Sequence, residues 1–185
     1  GIHATIFARE ILEQYKHVDF VIVGEGENSF LQLVKCLRFG HSVDNIDGLA
    51  YRQSGEVKLN AKLEFITDLD ALPFPDYELI DFTQYHFDTD QWYSPKNLPI
   101  GRPFPILSSR SCPNRCSFCS MWLIHGPKFR SRSANHVLDE IESLYHRFGA
   151  RYFEFMDDNL TFDRKRILEI CRGIVARNLN IQFST

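Results

Sequence analysis

The sequence predicts an α/β protein with a parallel sheet in its last third. Three observations point there. Between residues 105 and 185 short apolar runs (PILSS, RYFEFM, NIQFS) alternate with two longer segments whose apolar residues recur at helical spacing. The joining segments are short, which favours right-handed βαβ units. The composition suits a globular chain: of 185 residues, 44% are hydrophobic and 14% aromatic, which excludes a disordered or collagen-like protein. No window approaches the roughly 20 apolar residues of a transmembrane helix.

Taken in order, Ala4 to Lys16 is predicted as a helix with Ile6, Ile11, Leu12 and Tyr15 as its apolar positions. Val18 to Val23 (VDFVIV) is a short β-branched strand ending at Gly24. Phe30, Leu33, Val34 and Leu37 give a second helix, which Gly40 stops. Gly48–Tyr51 and Val57–Leu59 flank a Ser54-Gly55 turn and predict a hairpin. Six of the eight prolines then fall between residues 65 and 105, so long regular elements are not expected there. Leu72, Phe74, Tyr77, Leu79, Ile80 and Phe82 give this connector apolar surface to bury, which predicts an ordered segment. The last third holds strands at Pro105–Ser109, Arg151–Met156 and Asn180–Ser184. The first intervening helix carries Val137, Leu138, Ile141, Leu144, Tyr145 and Phe148, with Gly149 beyond it. The second is capped by Asp163 and carries Ile167, Ile170, Cys171, Ile174 and Val175. Three segments follow: residues 1–64, a connector at 65–104, and residues 105–185. In parallel sheets of this kind the chemistry sits beyond the C-terminal ends of the strands. The loops after the first two strands, one with cysteines and one reading Asp157-Asp158-Asn159, are therefore expected to be neighbours.

The charge is unevenly spread. The chain carries 21 basic and 24 acidic residues, a net charge of −3. Yet residues 91–138 contain no Asp or Glu and seven cations: Lys96, Arg102, Arg110, Arg115, Lys128, Arg130 and Arg132. The rest of the chain is strongly acidic. An acid-free, cation-rich stretch suits an anionic occupant, and an overall pI near 6.2 argues against a broad nucleic-acid-binding face. The five cysteines (Cys36, Cys112, Cys116, Cys119, Cys171) are odd in number and unevenly spaced, which points to a reducing cytoplasmic compartment and not to a disulfide framework. Cys171 lies on an apolar helix face and reads as core, as does Cys36.

Cys112, Cys116 and Cys119 stand at C-x3-C-x2-C spacing in a polar turn, Arg110-Ser111-Cys112-Pro113-Asn114-Arg115-Cys116-Ser117-Phe118-Cys119. Three thiolates in eight residues can hold three corners of an iron–sulfur cube and leave its fourth iron open. The alternative is a structural zinc site in which His125 supplies the fourth ligand. The loop, with an aromatic residue before its last cysteine, resembles the signature of radical S-adenosylmethionine (SAM) enzymes. The resemblance implies a 4Fe–4S cluster on Cys112, Cys116 and Cys119, with SAM chelating the open iron and Phe118 near the adenine. One-electron cleavage of SAM would then give a 5′-deoxyadenosyl radical that abstracts hydrogen from a small-molecule substrate. A reducing donor such as flavodoxin or ferredoxin is implied, and no nucleic acid or membrane partner. Arg110, Arg115, Lys128, Arg130 and Arg132 would ease reduction of an anionic cluster, with some of them solvated instead.

The second loop departs from the family pattern. Radical SAM enzymes commonly carry a Gly-Gly-Glu-like motif there for the SAM amino group, whereas this chain offers the acceptor oxygens of Asp157, Asp158 and Asn159. No catalytic residue beyond the cluster ligands is expected. Upstream, Gly24-Glu25-Gly26-Glu27-Asn28-Ser29 superficially echoes a dinucleotide fingerprint, but two glutamates would face the phosphates, so nucleotide binding is rejected. That segment, with Gly1-Ile2-His3-Ala4-Thr5, Gly48-Leu49-Ala50-Tyr51-Arg52 and Leu72-Pro73-Phe74-Pro75-Asp76, resembles the cobalamin-binding subfamily of radical SAM enzymes. The implied fold is the C-terminal end of a Rossmann-like cobalamin domain followed by the first half of a partial (β/α)6 barrel. The implied activity is methyl transfer, with cobalamin bound in the full-length protein, or another radical rearrangement or oxidative cyclisation. Only part of each domain is represented, so the chain reads as an internal fragment that is inactive by itself.

Overall fold

The computed structural model describes residues 1–85 and 102–185, which gather into two compact units interleaved along the chain. One holds residues 1–67 and 111–129, and the other residues 68–110 and 130–185. Packing thus groups the chain across its linear division, and the cysteine segment counts with the N-terminal residues.

In the first unit, α1 (Ile2–Ile6) and α2 (Ala8–Gln14) replace the single expected helix. The break falls at Phe7, whose backbone leaves helical geometry (φ −109°, ψ 30°). Ala8 and Leu12 are then buried with Val21 and Ala50 in a small core. The end of α2 and the chain beyond it are satisfied by Arg52, which donates to the carbonyls of Leu12 (2.6 Å), Lys16 (3.0 Å) and Val18 (2.5 Å). Strand β1 (Phe20–Ile22) pairs antiparallel with β2 (Leu49–Gln53), which pairs antiparallel with β3 (Glu56–Leu59). The Rossmann-like expectation calls for parallel pairing, and these three strands show none. The β2–β3 turn forms where expected, with positive φ at both Ser54 (53°) and Gly55 (88°), the geometry that matches the twist of a hairpin. Helix α3 (Glu27–Phe39) stops at Gly40 in the left-handed conformation, as its sequence predicts. Its buried side is Ser29 and Leu33, whereas Phe30, Val34 and Leu37 are exposed (59%, 44% and 56%). The expected stripe lies partly round the helix from the face that Ile46, Leu49 and Tyr51 contact through Leu33. A short helix, α4 (Met121–His125), completes the unit, with Ile124 buried.

The second unit contains the parallel sheet. Strand β4 (Pro103–Ile106) is followed by a two-residue strand, β5 (Ser109–Arg110), which pairs antiparallel with β6 (Arg130–Ser131). The single strand expected at Pro105–Ser109 is therefore two, bent at residues 107–108. β4 runs parallel to β7 (Tyr152–Phe155), and β7 to β8 (Gln182–Ser184), in the order β4-β7-β8. Crossover helices α5 (Ala134–Arg147) and α6 (Arg164–Ala176) make the two expected βαβ units. Each begins on a side-chain cap: Ser133 accepts from the His136 amide and Asp163 from the Arg166 amide. Ile106, Val137, Ile141, Phe153 and Ile170 are fully buried between sheet and helices, as the periodicity predicts. Val175 is an exception at 75% exposed. Helices α5 and α6 approach closely at Gly173, where an added Cβ would sit 2.1 Å from Leu138 Cδ1. In the described part of the connector, Tyr77 and Phe82 pack on this core, each in a single 3₁₀ turn (Tyr77–Leu79, Phe82–Gln84). Leu79 (83% exposed) and Ile80 (40%) stay outside. The expectations for Pro95, Pro99 and Lys96 fall outside the described residues.

Candidate functional site

The cysteine loop leaves the second unit at Arg110 and re-enters it at Arg130, two residues that face each other across the β5–β6 ladder. Two cations at directly opposite positions repel unless an anion lies between or beside them. Within the first unit the loop closes again. Ser111 is fully buried and left-handed (φ 68°), and its hydroxyl donates to the Gly126 carbonyl at 2.6 Å. Gly126 is itself at φ 71°, and a Cβ there would lie 2.9 Å from the Phe65 ring, so only glycine fits.

Between these closed ends none of the three cysteines is in a disulfide: Cys112 and Cys119 are half-buried and Cys116 is exposed. The Cys119 amide donates to the Cys116 carbonyl (3.0 Å), tightening the last turn. Phe118, expected near an adenine, is 90% exposed. Among the described residues no three His, Cys, Asp or Glu side chains gather as a site for one metal ion. The donor set, three thiols outside any disulfide in a segment without carboxylates, fits an iron–sulfur cube, which takes one thiolate per iron corner. The zinc alternative also needs His125, and the structure uses that side chain otherwise. His125 Nδ1 lies 3.4 Å from Glu25 Oε1.

Glu25 is the residue that sequence reasoning left without a role. It is 5% exposed, and its other oxygen accepts from the Ile66 amide at 3.0 Å. Gly24 beside it, at φ 74°, brings the turn close to α4: a Cβ there would be 3.2 Å from the Ile124 carbonyl. The Gly-Glu-Gly turn thus packs on the helix that follows the cysteines. The only clue in the sequence was a pair of glutamates where a phosphate loop would have none.

In the second unit, Asp157 is committed to the protein. Its carboxylate accepts from the Ser108 amide (3.1 Å), the Ser108 hydroxyl (2.8 Å) and the Ser109 hydroxyl. It ties the loop after β7 to the chain that leaves β4. Arg166, 5% exposed, donates to the Ser108 carbonyl (3.2 Å) and hydroxyl (2.9 Å). Burial lowers its pKa, and the nearby charges of Asp157 and Asp163 oppose that shift. Asp158 and Asn159 follow in the same loop, both half-buried.

Arg132 does not join the cation set around the cysteines. Its guanidinium is buried in the second unit, donating to Glu140 (2.5 Å), His136 Nδ1 (2.9 Å) and the Leu107 carbonyl (3.1 Å), with Phe74 stacked 5.5 Å away. The Tyr77 hydroxyl donates to the other Glu140 oxygen at 3.0 Å. Burial and the Glu140 charge raise the Tyr77 pKa far above its usual range.

No family model matches the sequence. It is 31% identical over 184 residues to an uncharacterised methyltransferase of Pyrococcus horikoshii, a match that spans 100% of this chain and 38% of the relative. It is 33% identical over 183 residues to the anaerobic magnesium-protoporphyrin IX monomethyl ester cyclase of Cereibacter sphaeroides, spanning 97% of this chain and 28% of that one. The chain therefore covers about a third of the length of these relatives. Its fold matches the cobalamin-dependent S-adenosylmethionine radical enzyme OxsB, solved with aqua-cobalamin and S-adenosylmethionine bound, with a TM-score of 0.73 at 22% identity over 99% of this chain and 24% of that one. Along its whole length the chain is thus similar to a methyltransferase and a cyclase, and it shares its fold with part of a cobalamin-dependent S-adenosylmethionine radical enzyme.

Proposed function

We propose that Cys112, Cys116 and Cys119 hold a 4Fe–4S cluster whose open iron takes SAM, in an enzyme that transfers a methyl group with the help of cobalamin. The single observation that carries this reading is the C-x3-C-x2-C loop: three cysteines outside any disulfide, no carboxylate in the segment, and the loop closed by the Ser111–Gly126 hydrogen bond. When bound, the cluster supplies the electron that splits SAM to methionine and a 5′-deoxyadenosyl radical. The chain's own residues do the rest. The loop backbone fixes the spacing of the thiolates, and Arg110 and Arg130 set positive charge at its base, favouring an anion there. Phe118, exposed, is free to stack on adenine. Asp158 and Asn159 offer acceptors for the SAM ammonium, while Asp157 positions their loop through Ser108 and Ser109. The organisation consistent with this is the end of a cobalamin-type domain in residues 1–64, a connector at 65–104, and the start of a SAM barrel at 105–185. A small-molecule substrate, a flavodoxin- or ferredoxin-like donor and a reducing cytoplasmic setting go with that reading. Among the described residues no helix is long and apolar enough to cross a membrane.

Anaerobic iron–sulfide reconstitution of the full chain tests it. A brown species absorbing broadly near ~400 nm, absent in Cys112→Ala, is expected for thiolate-held iron and sulfide. A colourless protein retaining stoichiometric zinc would sink the proposal. The similarity to a cyclase supports a second reading, oxidative cyclisation. Methyl transfer from SAM releases S-adenosylhomocysteine, whereas cyclisation releases 5′-deoxyadenosine without it, so product analysis of the complete enzyme separates the two.

A further inference from the structure

We propose that Ser111 and Glu25 are positioning residues that clamp the neck of the cysteine loop, so that the three thiols are held in place before any cluster arrives. The inference rests on the cluster reading above and deepens it.

Four observations in the first unit converge on residues 124–126. Ser111, immediately before Cys112, is fully buried and holds a left-handed backbone that a residue with a Cβ rarely adopts. Its hydroxyl reaches the Gly126 carbonyl at 2.6 Å and joins the two ends of the loop. The Phe65 ring lies over Gly126 so closely that an added Cβ would fall 2.9 Å from it, which leaves no room for a side chain. One residue earlier, His125 meets the Glu25 carboxylate, whose other oxygen is anchored on the Ile66 amide. A strained conformation persists only when its surroundings over-determine it, and here the hydroxyl and the ring bear on Gly126 and the carboxylate on His125 beside it.

The physical need is clear. A flexible loop of this length must pay closure entropy when three of its side chains are brought to one object, and a neck already closed removes much of that cost. Glycine would adopt the Ser111 backbone without strain, yet it would lose the hydroxyl. Serine at this position is therefore explained by the hydrogen bond, not by the dihedral angle. In the same way, a buried glutamate three residues past β1 is explained by what it holds.

The variants Ser111→Gly, Ser111→Ala and Glu25→Gln separate the alternatives in the full chain, with far-UV circular dichroism to confirm that each folds. The first readout needs no cluster: the rate of tryptic cleavage after Arg115 in iron-free protein. It is expected to rise about threefold to tenfold in Ser111→Ala and Glu25→Gln, because opening of the neck lets the already exposed loop unfold locally into the protease. The second is iron and acid-labile sulfide per chain after reconstitution, expected to fall at least twofold in both. Ser111→Gly decides the role of the hydroxyl. If it matches the unsubstituted protein in both readouts, the position needs only the left-handed backbone and the clamp is wrong. Unchanged cleavage and loading in Ser111→Ala and Glu25→Gln would also overturn it. If the unsubstituted protein assembles no cluster that depends on Cys112, Cys116 and Cys119, the functional reading fails, while the cleavage rates still decide the clamp.

Discussion

Glu140 sits 2% exposed in the middle of α5, among residues that the helical pattern assigns to the core. It stays there because Arg132 and Tyr77 both donate to it. Removing one partner of a buried ion pair strands the other charge, at a cost of about 3–5 kcal/mol. Glu140→Ala is accordingly expected to destabilise the protein by about 3–5 kcal/mol in urea unfolding. Arg147→Ala, which breaks an exposed pair with Glu78, should cost less than about 1 kcal/mol. Nearby, Asp70 gives a pH-dependent term. Burial pushes its pKa up, but the Ser133 hydroxyl and amide, with the charges of His136 and Arg132, pull it below the ordinary value of 3.8. A depressed carboxylate binds fewer protons in the folded state, so its contribution is present above pH 3.8 and is lost as the pH falls through the lower, folded value. Asp70→Asn is therefore expected to flatten the fall in Tm that begins below pH 3.8 and to lower Tm at pH 7.

Helices α5 and α6 depend on a missing side chain. An exposed helical glycine gains about 1 kcal/mol on replacement by alanine. Gly173→Ala should do the opposite, because its Cβ would fall 2.1 Å from a methyl of Leu138, itself 3% exposed in the core. Overpacking costs about 1–3 kcal/mol, so a net loss of roughly 1 kcal/mol and a lower Tm are expected, measured by thermal unfolding. The elements that the sequence revealed best are those whose signals are local. Ser133 and Asp163 cap their helices, Gly40 and Gly149 take the left-handed turns, and the strands of the βαβ units carry a short apolar period. The elements it misjudged depend on packing partners. Helix α3 carries apolar residues on more than one side, and periodicity alone cannot tell which side the Ile46–Leu49–Tyr51 cluster will cover. The strand at Pro105–Ser109 breaks because its last residue pairs with Ser131, far along the chain.

At the scale of the whole molecule, the cysteines could be singled out as a candidate site because the spacing of thiols is a local property of eight residues. The supports around them could not. Glu25 and His125 are 100 positions apart, and nothing in either neighbourhood names the other. Asp157 was picked out by its place after a strand, but its bonds to Ser108 and Ser109 assign it to holding the loop, a distinction that rests on contacts 48 and 49 positions away. Charge was readable as a total along residues 91–138, whereas its division was not: Arg132 turns to Glu140 while Arg110 and Arg130 stay together at the base of the loop. That base has a consequence of its own. Because residues 110 and 130 are already partners in a ladder, everything between them can lengthen, shorten or be exchanged without shifting the register of the parallel strands. The cysteine segment is thus tied off by its own ladder, so a change of length within it leaves the pairing of β4, β7 and β8 untouched.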